Sequence, residues 1–249
     1  MERGSYWSSL VLNLALVESA LQIVPREIQL HPQIKRYAER RMKKPNEVLL
    51  DRAFHHSAMQ SLARTGSEFA VEKMGRPDIV HSTLLQLLET PLNWENQLRV
   101  FVHTQDDHLI TINPKIRLPK NYVRFVGLME QLAKEKRVPE TGVPLMQFEK
   151  GDVRRLIHLI SPSEVVGFTV LGQPMLMRTV ADHVGRLTNP LVLIGGFPRG
   201  HFRKKTTEVL NLAFKVDRNS LDAWIVGGRF VYDFEWAIGV AQQRVRLQE

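Results

Sequence analysis

The chain has 249 residues, 43% of them hydrophobic and 24% charged, which suits one globular domain with an elaboration, or two small domains, and argues against a disordered chain. It contains no cysteine, so disulfides, thiolate nucleophiles and Cys-based metal sites are excluded and a reducing, intracellular compartment is expected. The net charge of +8 is concentrated: residues 35–44, 114–137 and 199–205 carry +5, +5 and +4, which leaves the remainder net negative and suits a polyanion-binding surface as well as solvated helix faces.

The apolar stretch Trp7 to Val24 is broken by Asn13 and Glu18 and has no run approaching the ~20 apolar residues that span a bilayer. Glu2 stands where a secretory leader would be basic, so a soluble chain is expected. Leu10 to Leu16 reads as a half-buried strand, and the segment from Glu18 as a short helix stopped before Pro25. Residues 31–44 and 51–64 read as two polar helices separated at Pro45, and this region is expected to be an insertion on the main sheet. Asp78 to Glu89 predicts an amphipathic helix, with Ile79, Leu84, Leu87 and Leu88 on one stripe. Leu98 to Thr104 and His108 to Ile112 alternate and are joined by Gln105-Asp106-Asp107, a hairpin pattern. A loop over residues 113–120 leads into a helix from Asn121 to Lys136, and a basic helix follows near residues 151–160. VVGFTVLG then reads as a strand, PMLMRTVADHVGRL as a helix with Pro174 in its first turn, and LVLIGG as a strand. A loop precedes a last helix from Ser220 to about Gln243. Apolar strands alternating with helices predict a parallel sheet covered on both faces.

Gly195, Gly196 and Gly200 follow a buried parallel strand, at the strand end where open α/β sheets bind ligands. Their spacing matches neither a dinucleotide fingerprint nor a Walker A loop, and a tight turn alone also accounts for them. Gly227-Gly228 would let another backbone approach the last helix closely. Three loops that each follow a strand, Thr169 to Gly172, Gly195 to Gly200 and Val216 to Leu221, are placed to surround one ligand. The histidines His55, His56, His81, His103 and His108 show no metal-ligand spacing, so no metal site is expected.

RPDIVHSTLLQLLETPLN (76–93), LRVFVHT (98–104), NPKIRLPKNYVRFVGLMEQL (113–132), IGGFPRG (194–200) and SLDAWIVGGRFVYDFE (220–235) resemble the N1-specific pseudouridine methyltransferases of small-subunit ribosome biogenesis, within the SPOUT superfamily. The compact length suits the archaeal branch. The resemblance covers nearly the whole chain and implies an α/β fold, a single domain over residues 1–249 with a mostly parallel sheet and helices on both faces. Residues 160–243 would form a deep trefoil knot that holds the cofactor, and residues 26–64 a helical insertion. It further implies a cytoplasmic homodimer that uses S-adenosyl-L-methionine, binds small-subunit rRNA, and meets small-subunit ribosomal proteins or assembly factors.

By the same resemblance the cofactor positions fall on Thr169, Gly195, Gly200, His201, Phe202, Val216, Asp217, Arg218, Asn219, Ser220 and Leu221. The rRNA contacts fall on Arg76, Arg117, Lys120 and Arg124, with Asp78 holding Arg76. Lys120 stands where some relatives carry arginine, which keeps a phosphate contact without bidentate recognition. Tyr122 and Phe125, interleaved with these cations, read as core. Methyl transfer from a sulfonium to a ring nitrogen is an in-line displacement, so alignment and exclusion of water matter most and no covalent nucleophile is needed. Arg76 is expected to favour the anionic base, with Asp78 orienting it; Arg76-Pro77-Asp78 also suits a plain helix start. The contrasting expectation is an RNA-binding assembly factor in which methylation is secondary or absent.

Overall fold

Strand β1 (Leu12–Ser19) is buried over its whole length because it lies inside an eight-stranded sheet. The computed structural model describes residues 10–64 and 70–246, so the start of the first apolar stretch, residues 7–9, lies outside the described residues. The half-buried strand expected here is corrected by the sheet's two covered faces. Leu12, Leu14 and Leu16 pack into the larger core, while Ala15 and Val17 pack into a second one on the opposite face. The helix expected from Glu18 does not form either. Backbone groups of this segment pair outward instead: Ala20 N–H donates to Gly196 O, Val24 N–H donates to Val48 O, and Gln22 O accepts from Leu50 N–H. Distant partners thus override a local helical preference.

The expected helices α1 (Pro32–Arg40) and α2 (Arg52–Arg64) follow. They build a small core of their own around Ile34, Ala38, Leu50, Ala58, Met59 and Leu62. His55 is fully buried there, its Nδ1 accepting from Asp51 N–H at 3.0 Å, and burial lowers its pKa from 6.5 to about 4. The folded state therefore favours neutral His55, so its contribution to stability is complete above pH 6.5 and is lost as pH falls toward 4. From pH 7 to pH 4 the loss is expected to be on the order of 3 kcal/mol. In urea unfolding, His55→Asn should lose less stability on acidification than the parent. An identical pH dependence in both proteins would contradict the assignment.

The next elements are α3 (Pro77–Leu88), α4 (Pro91–Trp94), β2 (Leu98–Thr104), β3 (His108–Ile112) and α5 (Tyr122–Glu135). The hairpin is as expected, β2 and β3 being antiparallel. The sequence reading does not mark β4 (Arg137–Val138) and β5 (Met146–Lys150), which extend the sheet's antiparallel edge. The second half comprises α6 (Val153–Ile160), β6 (Glu164–Pro174), α7 (Met177–Val184), β7 (Pro190–Gly195), α8 (Lys204–Thr207), β8 (Leu212–Lys215), α9 (Ala223–Ala237) and α10 (Val240–Arg246).

Sheet order is β4-β5-β3-β2-β1-β7-β6-β8, and the pairs among β2, β1, β7, β6 and β8 are all parallel. Residues from α3, α5, α7 and α9 fill one face and Val153 and Leu156 of α6 the other, which bears out the doubly covered sheet. Two boundaries need correction. Pro174 ends β6 rather than opening α7, because the strand rejoins its partner at Gln173 and Pro174. The last helix starts at Ala223, with Asp222 at its N-cap, rather than at Ser220, and is interrupted before α10 at Gly239, where φ is +80°. At Gly227-Gly228 the close approach is made by side chains rather than by the backbone expected: a Cβ on Gly228 would fall 1.9 Å from Nε2 of Gln86 on α3.

Candidate active site

Three loops leave the carboxyl ends of parallel strands and enclose a cavity of about 250 Å³. The first is an excursion of β6 itself. Phe214 of β8 pairs with both Phe168 and Gln173, so residues 169–172 swing out of the ladder; the sequence reading expects a loop there, and the strand resumes beyond it. The second runs from Gly195 through Phe202, and the third from Val216 into Asp222 at the start of α9. Of the expected cofactor positions, Thr169, Gly195, Gly200, His201, Phe202, Val216, Asp217, Asn219, Ser220 and Leu221 line the cavity. Arg218 is exposed and does not.

The sequence reading misses the apolar wall of Ile79, Phe168, Ile194, Phe214 and Val226, and the carboxylate of Asp222. The wall residues read as ordinary core by periodicity, and only the fold brings them to one place. Asp217 and Asp222 outweigh Lys215 among the charged lining residues. Apolar walls with acidic groups suit a flat ring, hydroxyls and a cationic group better than a polyphosphate. Gly200 has φ +94°, a backbone region that side-chain-bearing residues rarely enter. Asn219 N–H donates to Asp217 Oδ1 at 2.9 Å and tightens the third loop.

Arg76 and Asp78 stand beside this cavity, at the start of the helix whose Ile79 lines it. The guanidinium donates through Nε to Asp78 Oδ1 at 2.8 Å and through Nη2 to Oδ2 at 2.7 Å. The hydrogen-bonded Asp78 raises the Arg76 pKa, and the charges of Asp222 and Asp51 add to it, so the side chain is a fixed cation and cannot serve as a base.

Arg117, Lys120 and Arg124 are exposed on the loop before α5 and on its first turn. Arg117 and Lys120 border one cleft of about 650 Å³, which Arg124 does not line. His81 fixes that loop to α3: its Nε2 lies 2.8 Å from Pro119 O and its ring stacks on buried Phe125. Tyr122 donates its hydroxyl proton to Asp51 Oδ2. Both aromatics are therefore engaged in packing, as the sequence predicts. Among the described residues, no group of three or more His, Asp or Glu side chains is placed to hold a metal, and no helix is long and apolar enough to cross a membrane.

The profile of the EMG1/NEP1 methyltransferase family matches residues 14–235. The chain belongs to this family. Among its EMG1/NEP1 relatives, the ribosomal RNA small subunit methyltransferase Nep1 of Thermococcus onnurineus is 42% identical over 229 residues, 92% of this chain and 100% of that protein. The enzyme of the same name from Pyrococcus furiosus is 40% identical over 227 residues, 91% of this chain and 97% of its own length. The fold superposes on the crystal structure of Archaeoglobus fulgidus Nep1 bound to S-adenosylhomocysteine with a TM-score of 0.79, at 33% identity, covering 92% of this chain and 100% of that one.

Proposed function

We propose that this EMG1/NEP1 protein methylates N1 of a pseudouridine in a small-subunit rRNA loop during ribosome biogenesis, with S-adenosyl-L-methionine as donor. The observation that carries the reading is the cavity enclosed by the three post-strand loops, with the Arg76-Asp78 pair at its side. Bound there, S-adenosyl-L-methionine would supply the methyl group and be left as its uncharged thioether. Thr169, Gly195, Gly200, His201, Phe202, Val216, Asp217, Asn219, Ser220 and Leu221, which line the cavity, would hold the donor, and Arg218, exposed away from it, would not. Their apolar neighbours Phe168, Ile194 and Phe214 exclude water, and alignment then does most of the work. Pseudouridine N1 carries a proton, which passes to bulk water as the methyl group is taken up. Arg76, held in one orientation by Asp78, favours the resulting anion without moving a proton itself.

Arg117, Lys120 and Arg124 hold phosphates flanking a target base turned out of its loop. Residues 160–243 thread as a deep trefoil knot, and residues 26–64 are an insertion on the single domain, consistent with their separate small core. The protein works in the cytoplasm as a homodimer, and exposed Leu171, Leu176 and Ile225 offer apolar surface to a second copy.

The test is methyl transfer to a short rRNA hairpin carrying either pseudouridine or uridine at the target. Transfer to the pseudouridine RNA alone is expected. Equal transfer to uridine would refute the N1-pseudouridine assignment, and transfer to neither would favour an assembly factor that binds RNA without modifying it.

A further inference from the structure

We propose that Glu18 and Lys73, a buried ion pair outside the cavity, are positioning residues that set the shape of the cofactor loop 197–203. The inference rests on the reading of that cavity as the donor site.

Glu18 ends the straight part of β1 with no exposed surface and a φ of +51°. Its Oε2 lies 2.8 Å from Lys73 Nζ, and its Oε1 accepts the Arg203 N–H at 2.6 Å. Lys73 in turn reaches three residues that line the cavity. Its ammonium donates to the His201 carbonyl and sits 4.2 Å from the centroid of the Phe197 ring. Its Cε packs under Gly200, where a Cβ would come within 3.1 Å. The pair is itself tied to the hairpin. Arg203 Nη2 donates to Gln105 O at 2.6 Å, and Gln105 Nε2 donates to Lys73 O at 2.7 Å.

Burying an ion pair is a poor way to gain stability, since well-packed apolar residues of equal volume often do as well or better. Directional bonds do something apolar packing cannot: they hold one particular backbone path. The path in question bends at Gly200, whose φ of +94° lies in a region with little intrinsic preference for a single shape. One ammonium on Phe197, Gly200 and His201, with one carboxylate on Arg203, fixes both sides of that bend. No residue of this pair needs to touch the donor.

The experiment compares the parent with Lys73→Met, Glu18→Gln and the double variant. The readouts are Tm, affinity for S-adenosylhomocysteine by calorimetry, and affinity for the rRNA hairpin. Lys73→Met alone leaves the buried Glu18 carboxylate with only the more distant Arg203 guanidinium, whose Nε is 3.7 Å from Oε2, and should lower Tm. The double variant should recover Tm, yet bind S-adenosylhomocysteine at least tenfold more weakly than the parent, with hairpin affinity within twofold. If affinity for S-adenosylhomocysteine returns together with Tm, the pair is only a structural brace and the proposal falls. Glu18→Gln, which keeps a neutral acceptor for Arg203, should fold and show an intermediate loss; parental affinity there overturns the proposal even if the other variants fail to fold. A parent that does not bind S-adenosylhomocysteine would instead sink the donor-site reading itself.

Discussion

Arg76→Ala is expected to slow single-turnover methylation at saturating RNA by about 10²-fold or more, the loss typical of removing one preorganised charge-stabilising donor. Its side chain is 39% exposed and that of its partner Asp78 is 43% exposed, so the pair contributes at most about 1 kcal/mol to stability. Tm should therefore move by no more than about 4 °C, which separates a failure of chemistry from a failure to fold. Arg76→Lys should recover little, because an ammonium cannot make the two parallel bonds to Oδ1 and Oδ2 seen here. Asp78→Ala should cost roughly tenfold, since the cation survives but loses its orientation. If Arg76→Ala methylates at the parental rate, the residue is a helix-start arginine and nothing more.

What could be read in advance follows from the range of the interactions involved. The β2-β3 hairpin and the apolar run of β7 were legible because alternation and continuous burial are local patterns. Glu18 to Val24 reads as a helix because its propensities are helical, while its backbone hydrogen bonds go to Gly196, Val48 and Leu50. Pro174 was misplaced for a related reason: β6 leaves its ladder after Phe168 and returns at Gln173, and no local pattern marks a strand that resumes. Strand β5 escaped notice because only Met146 of its five residues is buried, so it lacks a clear apolar alternation.

The same division holds at the site. Gly195 and Gly200 were visible as punctuation after a buried strand, and they do line the cavity. The resemblance supplied the remaining loop positions, of which Arg218 alone lies off it. Asp222 was invisible because nothing distinguishes an acidic residue at a cavity from one that merely starts a helix. The Glu18-Lys73 pair joins residues 55 positions apart. A single carboxylate interrupting an apolar strand was its only trace, and such a residue needs a buried partner whose identity the pattern cannot supply.

Gly172→Ala is the substitution from which the largest loss of stability is expected. A Cβ at this position would lie 2.6 Å from the carbonyl carbons of Ala213 and Phe214 and from the Phe214 nitrogen. These are backbone atoms of the neighbouring strand β8, so no side chain can swing aside to relieve the contact. Overpacking of this kind typically costs 1–3 kcal/mol, and a clash with a paired backbone belongs near 3, roughly 6–12 °C in Tm for a chain of this size. The effect should reach the cavity, because Gly172 closes the excursion that carries Thr169 and Val170 to its lining, and β8 leads directly into Val216 and Asp217. Displacing β8 therefore moves two of the three loops at once, and affinity for S-adenosylhomocysteine should fall with Tm. Gly127→Ala is the matching control: it lies inside α5, a Cβ there meets nothing within 4 Å, and alanine should stabilise the helix by about 0.5–1 kcal/mol. Thermal melts of the two variants that moved in the same direction, or a Gly172→Ala protein melting with the parent, would show that β6 does not return to β8 through the close contact seen here.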